Sequence, residues 1–128
     1  MIVTSAEPTA MTDAYALMKV LFTKYQEKNF RILVNNVKNS NEATDVYERL
    51  STAAERFLSI SLDYVGFVPH DNYVPKAVRQ QRALIDMYPG SDAAMKIMEI
   101  AGEISKETNN NLKGTLQFFL GGLVKEKC

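Results

Sequence analysis

Two hydrophobic periods alternate along the chain. Met1–Ser5 is short, apolar and suited to a strand, and Glu7-Pro8 then forces a turn, because a proline ring excludes helical backbone at the residue before it. From about Ala10 to Lys28 the apolar residues fall at Met11, Ala14, Tyr15, Met18, Leu21, Phe22 and Tyr25, a one-sided stripe that predicts an amphipathic helix. Phe30–Val37 follows, with Ile32, Leu33 and Val34 in an unbroken run, the pattern of a strand buried on both faces. Asn39 with Glu42 three residues on forms a variant capping box. It opens a second helix that would bury Ala43, Val46, Tyr47, Leu50, Ala54, Phe57 and Leu58.

Leu62–Val68 reads as a third strand, ended by Pro69. A third helical pattern covers about Val74 to Met87 and is broken by Pro89-Gly90; a fourth runs from about Ser91, its expected N-cap, to Ile104. The order β-α-β-α-β-α-α predicts an α/β fold, a parallel sheet with flanking helices in three layers and right-handed crossovers. Three parallel strands are few, and a sheet edge is normally paired or covered, so the remaining strands are expected upstream of Met1 or on another chain.

After residue 107 the chain turns polar at Thr108-Asn109-Asn110-Asn111, which reads as a linker, and 112–128 is apolar again. At helical spacing Leu112, Leu116, Phe119, Leu120 and Leu123 share one side, Phe118 stands off that stripe, and Lys125 lies opposite. Such an amphipathic helix suits two surfaces. It can lie in a lipid headgroup boundary with its lysines toward anionic lipid, or dock on protein.

Composition narrows the field. At 128 residues, 46% hydrophobic and 23% charged, the chain is of ordinary globular character and sized for one domain. Fifteen basic against fifteen acidic side chains give zero formal net charge, which removes the bulk electrostatic argument for nucleic acid. A single cysteine, Cys128, builds neither a disulfide framework nor a thiolate metal site and suits a reducing cytoplasm. No apolar run reaches the roughly 18 residues of a membrane span.

Much familiar chemistry is missing from the sequence. There is no G-x-x-x-x-G-K-[ST] loop to cradle a triphosphate, no G-x-G-x-x-G and no G-x-S-x-G, and His70 has no second histidine or cysteine with which to hold a metal. No catalytic or metal-binding residue is therefore assigned. Lys76, Arg79 and Arg82 read as the solvated face of a helix rather than a docking patch. What remains collects at the C-terminal ends of the strands, where open α/β sheets bind ligands: Thr4 to Thr9, Asn35-Asn36 and Pro69-His70-Asp71. These residues either finish strands and turns or supply an asparagine and an irregular backbone to a flat ligand.

Longer stretches are distinctive. Met1–Tyr15, with I-V-T-S-A-E-P-T-A-M-T-D-A-Y, resembles the segment after the second switch of MinD-like ATPases. The resemblance continues through R-I-L-V-N-N-V (Arg31–Val37), D-Y-V-G-F-V-P-H-D (Asp63–Asp71) and K-A-V-R-Q-Q-R-A (Lys76–Ala83), then Tyr88-Pro89 and G-T-L-Q-F-F-L-G-G-L (Gly114–Leu123). Together they are similar to the C-terminal half of MinD/ParA-like P-loop ATPases of the flagellar-number regulator type, FlhG or FleN.

That resemblance implies half of a MinD-like, SIMIBI-class P-loop NTPase fold plus a C-terminal amphipathic helix. It implies ATP, with Mg in the full-length family, as cofactor, not expected to be bound by this chain alone. Asn35 and Pro69, His70 and Asp71 would border the adenine, with Glu7 and Pro8 near the nucleotide and the dimer interface. It also implies a homodimer, an inner-membrane lipid surface reached through 112–128, and a σ54-dependent flagellar activator or the flagellar placement GTPase as partner, with no direct nucleic acid. The family's phosphate loop and magnesium-orienting carboxylates do not occur in this sequence, so a missing N-terminal half is expected to carry them. This chain alone is expected to be without ATPase activity. The alternative is a non-enzymatic interaction module that keeps the half-fold and binds a protein without nucleotide.

Overall fold

The central strand of the sheet is β2 (Phe30–Val37), flanked in parallel by β1 (Ile2–Thr4) and β3 (Leu62–Pro69). Helix α1 (Pro8–Tyr25) joins β1 to β2 and α2 (Ser40–Leu58) joins β2 to β3; α3 (Tyr73–Arg79), α4 (Leu84–Met87) and α5 (Asp92–Glu126) follow. The computed structural model describes the backbone of residues 1–126 and the side chains of residues 1–112. The chain divides into two compact units, 1–97 and 98–128. The first holds the whole sheet and α1 to α4; the second is the continuation of α5.

The expected α/β class, with parallel strands and flanking helices, is the one observed. Its core lies where α1 and α2 pack on the sheet and on each other. Ile2, Phe30, Ile32, Val34 and Leu62 meet Ala14 and Met18 of α1 and Val46, Leu50, Ala54 and Leu58 of α2. Met18, Ile32 and Val34 are fully buried, each contributing roughly 1.5–3 kcal/mol by removal from water. β2 departs from the expected burial on both faces: Phe30, Ile32 and Val34 are buried, while Arg31 and Leu33 between them are half-buried.

Helix ends explain further differences. α1 begins at Pro8, whose missing N–H costs nothing at a first turn, and stops at Tyr25 rather than Lys28. Gln26 there adopts φ 56°, and Gln26 and Glu27 donate back to Phe22 and Leu21. Ser59 (φ 55°) closes α2 in the same way, and Ile60 donates to Ala54. At the other end of α2, Asn39 Oδ1 accepts the Glu42 N–H at 2.9 Å, while Glu42 Oε2 accepts the N–H of Lys38 at 2.7 Å. The box thus reaches one residue further back than the usual reciprocal pair. Phe57, expected in the core, is 66% exposed and stands edge-on to Tyr15.

The single helix expected over Val74–Met87 is two. After Arg79 the chain folds back, Gln81 takes φ 54°, and the Gln81 and Arg82 amides donate to Val78 and Ala77. Ser91 caps α5 as expected, its Oγ accepting the Ala94 N–H at 3.2 Å. Residues 108–111, expected as a linker, are helical within α5: their composition removes an apolar face, which does not by itself end a helix. Leu112 is exposed, and the side chains of Leu116, Phe118, Phe119, Leu120, Leu123 and Lys125 lie outside the described residues, as does Cys128. Among the described residues no helix is long and apolar enough to cross a membrane.

Candidate functional site

β2 and β3 finish side by side, and an irregularity in their pairing shapes what lies there. Asn35 pairs with Val68 and Val37 with Pro69, leaving Asn36 as an extra residue in β2. Asn36 takes φ 58°, a left-handed conformation that asparagine tolerates better than most residues. Past Pro69 the strand pairing persists for one more bond, His70 N–H donating to the Val37 carbonyl at 2.8 Å. The His70 Nδ1 then lies 2.7 Å from Asn36 Oδ1, so the bulge and the turn meet side chain to side chain.

Asp71 anchors this turn. Its Oδ2 accepts the Ala93 N–H at 2.9 Å and its Oδ1 accepts the Tyr73 N–H at 2.9 Å. These two amide donors, Ala93 first, hold its carboxyl below the usual aspartate range, with the Ser91 hydroxyl and His70 adding to the effect against a smaller opposing cost of burial. One side chain thus fixes both the entry to α3 and the first turn of α5.

The ends of β2 and β3, with the start of α3, enclose a cleft of about 250 Å³. Val68, Pro69, Val74 and Pro75 give it apolar walls, and Asn35, Asn36, His70 and Asp71 supply polar groups. A small apolar cleft edged by amide and imidazole groups matches a flat heteroaromatic ring in size and chemistry. Among the described residues that line it there is no lysine or arginine for a phosphate. Among the described residues no group of three His, Cys, Asp or Glu side chains could hold a metal ion.

Of the sequence-derived candidates, Asn35, Pro69, His70 and Asp71 come together in this cleft. Glu7 and Pro8 do not line it. Glu7 donates its N–H to Ser5 Oγ at 3.3 Å, and Pro8 lines a separate cleft of about 360 Å³ with Met11, Tyr15, Leu50 and Ala53, where α1 meets α2. At the end of β1, the Thr4 hydroxyl is buried without a hydrogen-bond partner. Val74 and Pro75 as walls, and the contact of Asn36 with His70, do not follow from the sequence pattern. The Asn35-Asn36 doublet was the available signal, since a second asparagine after an apolar strand is a natural left-handed residue. Beside the cleft, Lys76 Nζ lies 4.8 Å from the Tyr73 ring, which packs on Tyr88 at 4.7 Å.

No family model matches the chain. Over 126 residues, 98% of its length, it is 36% identical to the antiactivator FleN of Pseudomonas aeruginosa, of which it covers 45%. It is 32% identical over 102 residues, 79% of its length, to the flagellum site-determining protein YlxH of Helicobacter pylori, covering 34% of that protein. An uncharacterized ATP-binding protein of Methanocaldococcus jannaschii is 30% identical over 125 residues, with 44% of it covered. The chain thus spans less than half the length of these curated relatives.

Proposed function

Since this chain is homologous to the C-terminal half of the FlhG/FleN-type MinD/ParA ATPases, we propose that it forms the base-binding wall of an ATP-dependent regulator of flagellar number and placement. The observation that carries this reading is the cleft at the ends of β2 and β3, where Asn35 and Pro69-His70-Asp71 meet around a space suited to an adenine ring. Asn35 offers an amide to the ring edge, and Val68, Pro69, Val74 and Pro75 offer apolar contact to its faces. Glu7 and Pro8, at the other strand end, are assigned to the neighbourhood of the phosphates and a dimer partner.

In this reading the phosphate loop and the groups that orient Mg and water come from a separate N-terminal half. The chain alone binds the base weakly and hydrolyses nothing. With that half it switches by nucleotide-dependent dimerisation. In the dimer, the helix over 112–128 rests on the inner-membrane surface and the protein restrains a σ54-dependent flagellar activator or the placement GTPase. Two of the relatives are an antiactivator and a flagellum site-determining protein, which supports a regulatory rather than a metabolic role.

Calorimetric titration of ATP with Mg tests the reading. The sample is this chain assembled with the portion of the P. aeruginosa FleN that it does not match. Binding that Asn35→Ala weakens is the expected result. An assembly that forms yet takes up no ATP would favour the protein-binding module instead.

A further inference from the structure

Asn36 and His70 are joined through one atom of each, and the chemistry of those atoms has a consequence for what the cleft selects. An amide oxygen carries no hydrogen, so a 2.7 Å contact between Asn36 Oδ1 and His70 Nδ1 requires the proton to sit on Nδ1. In a neutral imidazole with Nδ1 protonated, Nε2 is an acceptor. No hydrogen bond among the described residues engages Nε2, and His70 lines the cleft. The pairing is built into the fold twice over: the β2 bulge places Asn36 in its left-handed conformation, and the Val37 carbonyl holds the His70 backbone.

We propose that Asn36 fixes His70 as the Nδ1–H tautomer. Nε2 thereby becomes an acceptor at the base-binding cleft, selecting a nucleobase with an exocyclic amine over one with a carbonyl at the same position. The inference rests on the nucleobase reading of the cleft and adds to it a residue pair that sets which base is taken. An amine donates to Nε2, whereas a carbonyl oxygen placed there faces a second lone pair and gains no bond.

The chain has one histidine, so its ring nitrogens are the only imidazole signals in a long-range proton–nitrogen NMR spectrum. That spectrum, recorded on the full chain while adenosine or inosine is added, tests the proposal; the two nucleosides differ in an amine against a carbonyl. The expected wild-type ring is protonated at Nδ1, with adenosine moving the Nε2 signal and binding about fivefold more tightly than inosine, the worth of one ordinary hydrogen bond. Asn36→Gly keeps the left-handed backbone without strain. It should release the tautomer and bring the two nucleosides to nearly equal affinity, and His70→Ala should also equalise them. A wild-type ring protonated at Nε2, or an adenosine preference that survives Asn36→Gly, overturns the inference and leaves the nucleobase cleft standing. If neither nucleoside moves the Asn35 or Val74 signals, the nucleobase reading fails, and the selectivity fails with it.

Discussion

Asp71 accepts the backbone N–H of Ala93 at 2.9 Å across 22 residues of sequence, so the turn after β3 and the first turn of α5 are held by one carboxylate. The same group accepts the Tyr73 amide, and both bonds favour its charged form. A carboxyl held below its ordinary value stabilises the fold fully above the unfolded aspartate range and progressively less as pH falls through its folded value.

Asp71→Asn therefore gives a pH-dependent loss. An asparagine turns one acceptor oxygen into a donor and faces an N–H with an N–H. The melting temperature of the variant should lie below wild type by a constant gap between about pH 7 and 5, and that gap should close below about pH 4. Thermal melts across that range check it; a gap that widens on acidification would contradict the sign of the shift.

Thr4→Val should stabilise the protein. The Thr4 hydroxyl is buried with no partner, and exchanging it for a methyl of similar volume removes a desolvated polar group, worth about 1 kcal/mol. Urea unfolding of both chains reads this directly. A destabilised variant would mean the hydroxyl is bonded in solution.

At the start of α2, Asn39→Ala removes the acceptor of the Glu42 amide and should cost about 1 kcal/mol, the usual worth of an N-cap. Asn39→Ser should recover most of it. Denaturant midpoints for the three chains suffice, and an alanine variant as stable as wild type would show that the Asn39 side chain does not stabilise the start of α2.

The membrane assignment makes a separate demand. Phe119→Glu with Leu123→Glu places two carboxylates on the apolar stripe of 112–128, and co-sedimentation with vesicles containing anionic lipid should disappear. Undiminished sedimentation would remove the lipid surface from the proposal.

What could be read from the sequence was local periodicity and the chemistry of strand ends. The sequence delimits β2 residue for residue because the polar pairs Lys28-Asn29 and Lys38-Asn39 flank a stretch that opens on Phe30 and closes on Val37. Asn35 and Pro69-His70-Asp71 were singled out because parallel strands deliver their C-terminal ends to one place. Long-range geometry was out of reach. Whether Asn36 is a ladder residue or a bulge depends on the register of β3, which the residues around Asn36 do not set. The fold-back after Arg79 depends on amides returning to Ala77 and Val78 rather than on a helix breaker, and glutamine is a poor advertisement for a left-handed turn. Phe57 sits one position off the buried stripe of α2, where spacing alone does not separate core from surface.

β1 is three residues long and pairs only with β2 among the described residues, and Val3 at its middle is 55% exposed. An open strand edge is a template: its unpaired amides and carbonyls accept whatever extended backbone arrives. Three residues offer too few bonds to hold a random passer-by, yet enough to align a longer strand whose own far side is already engaged. In the isolated chain this edge is therefore a register mark more than an adhesive: a strand of that kind would align along Ile2, Val3 and Thr4, while a lone extended segment would not stay.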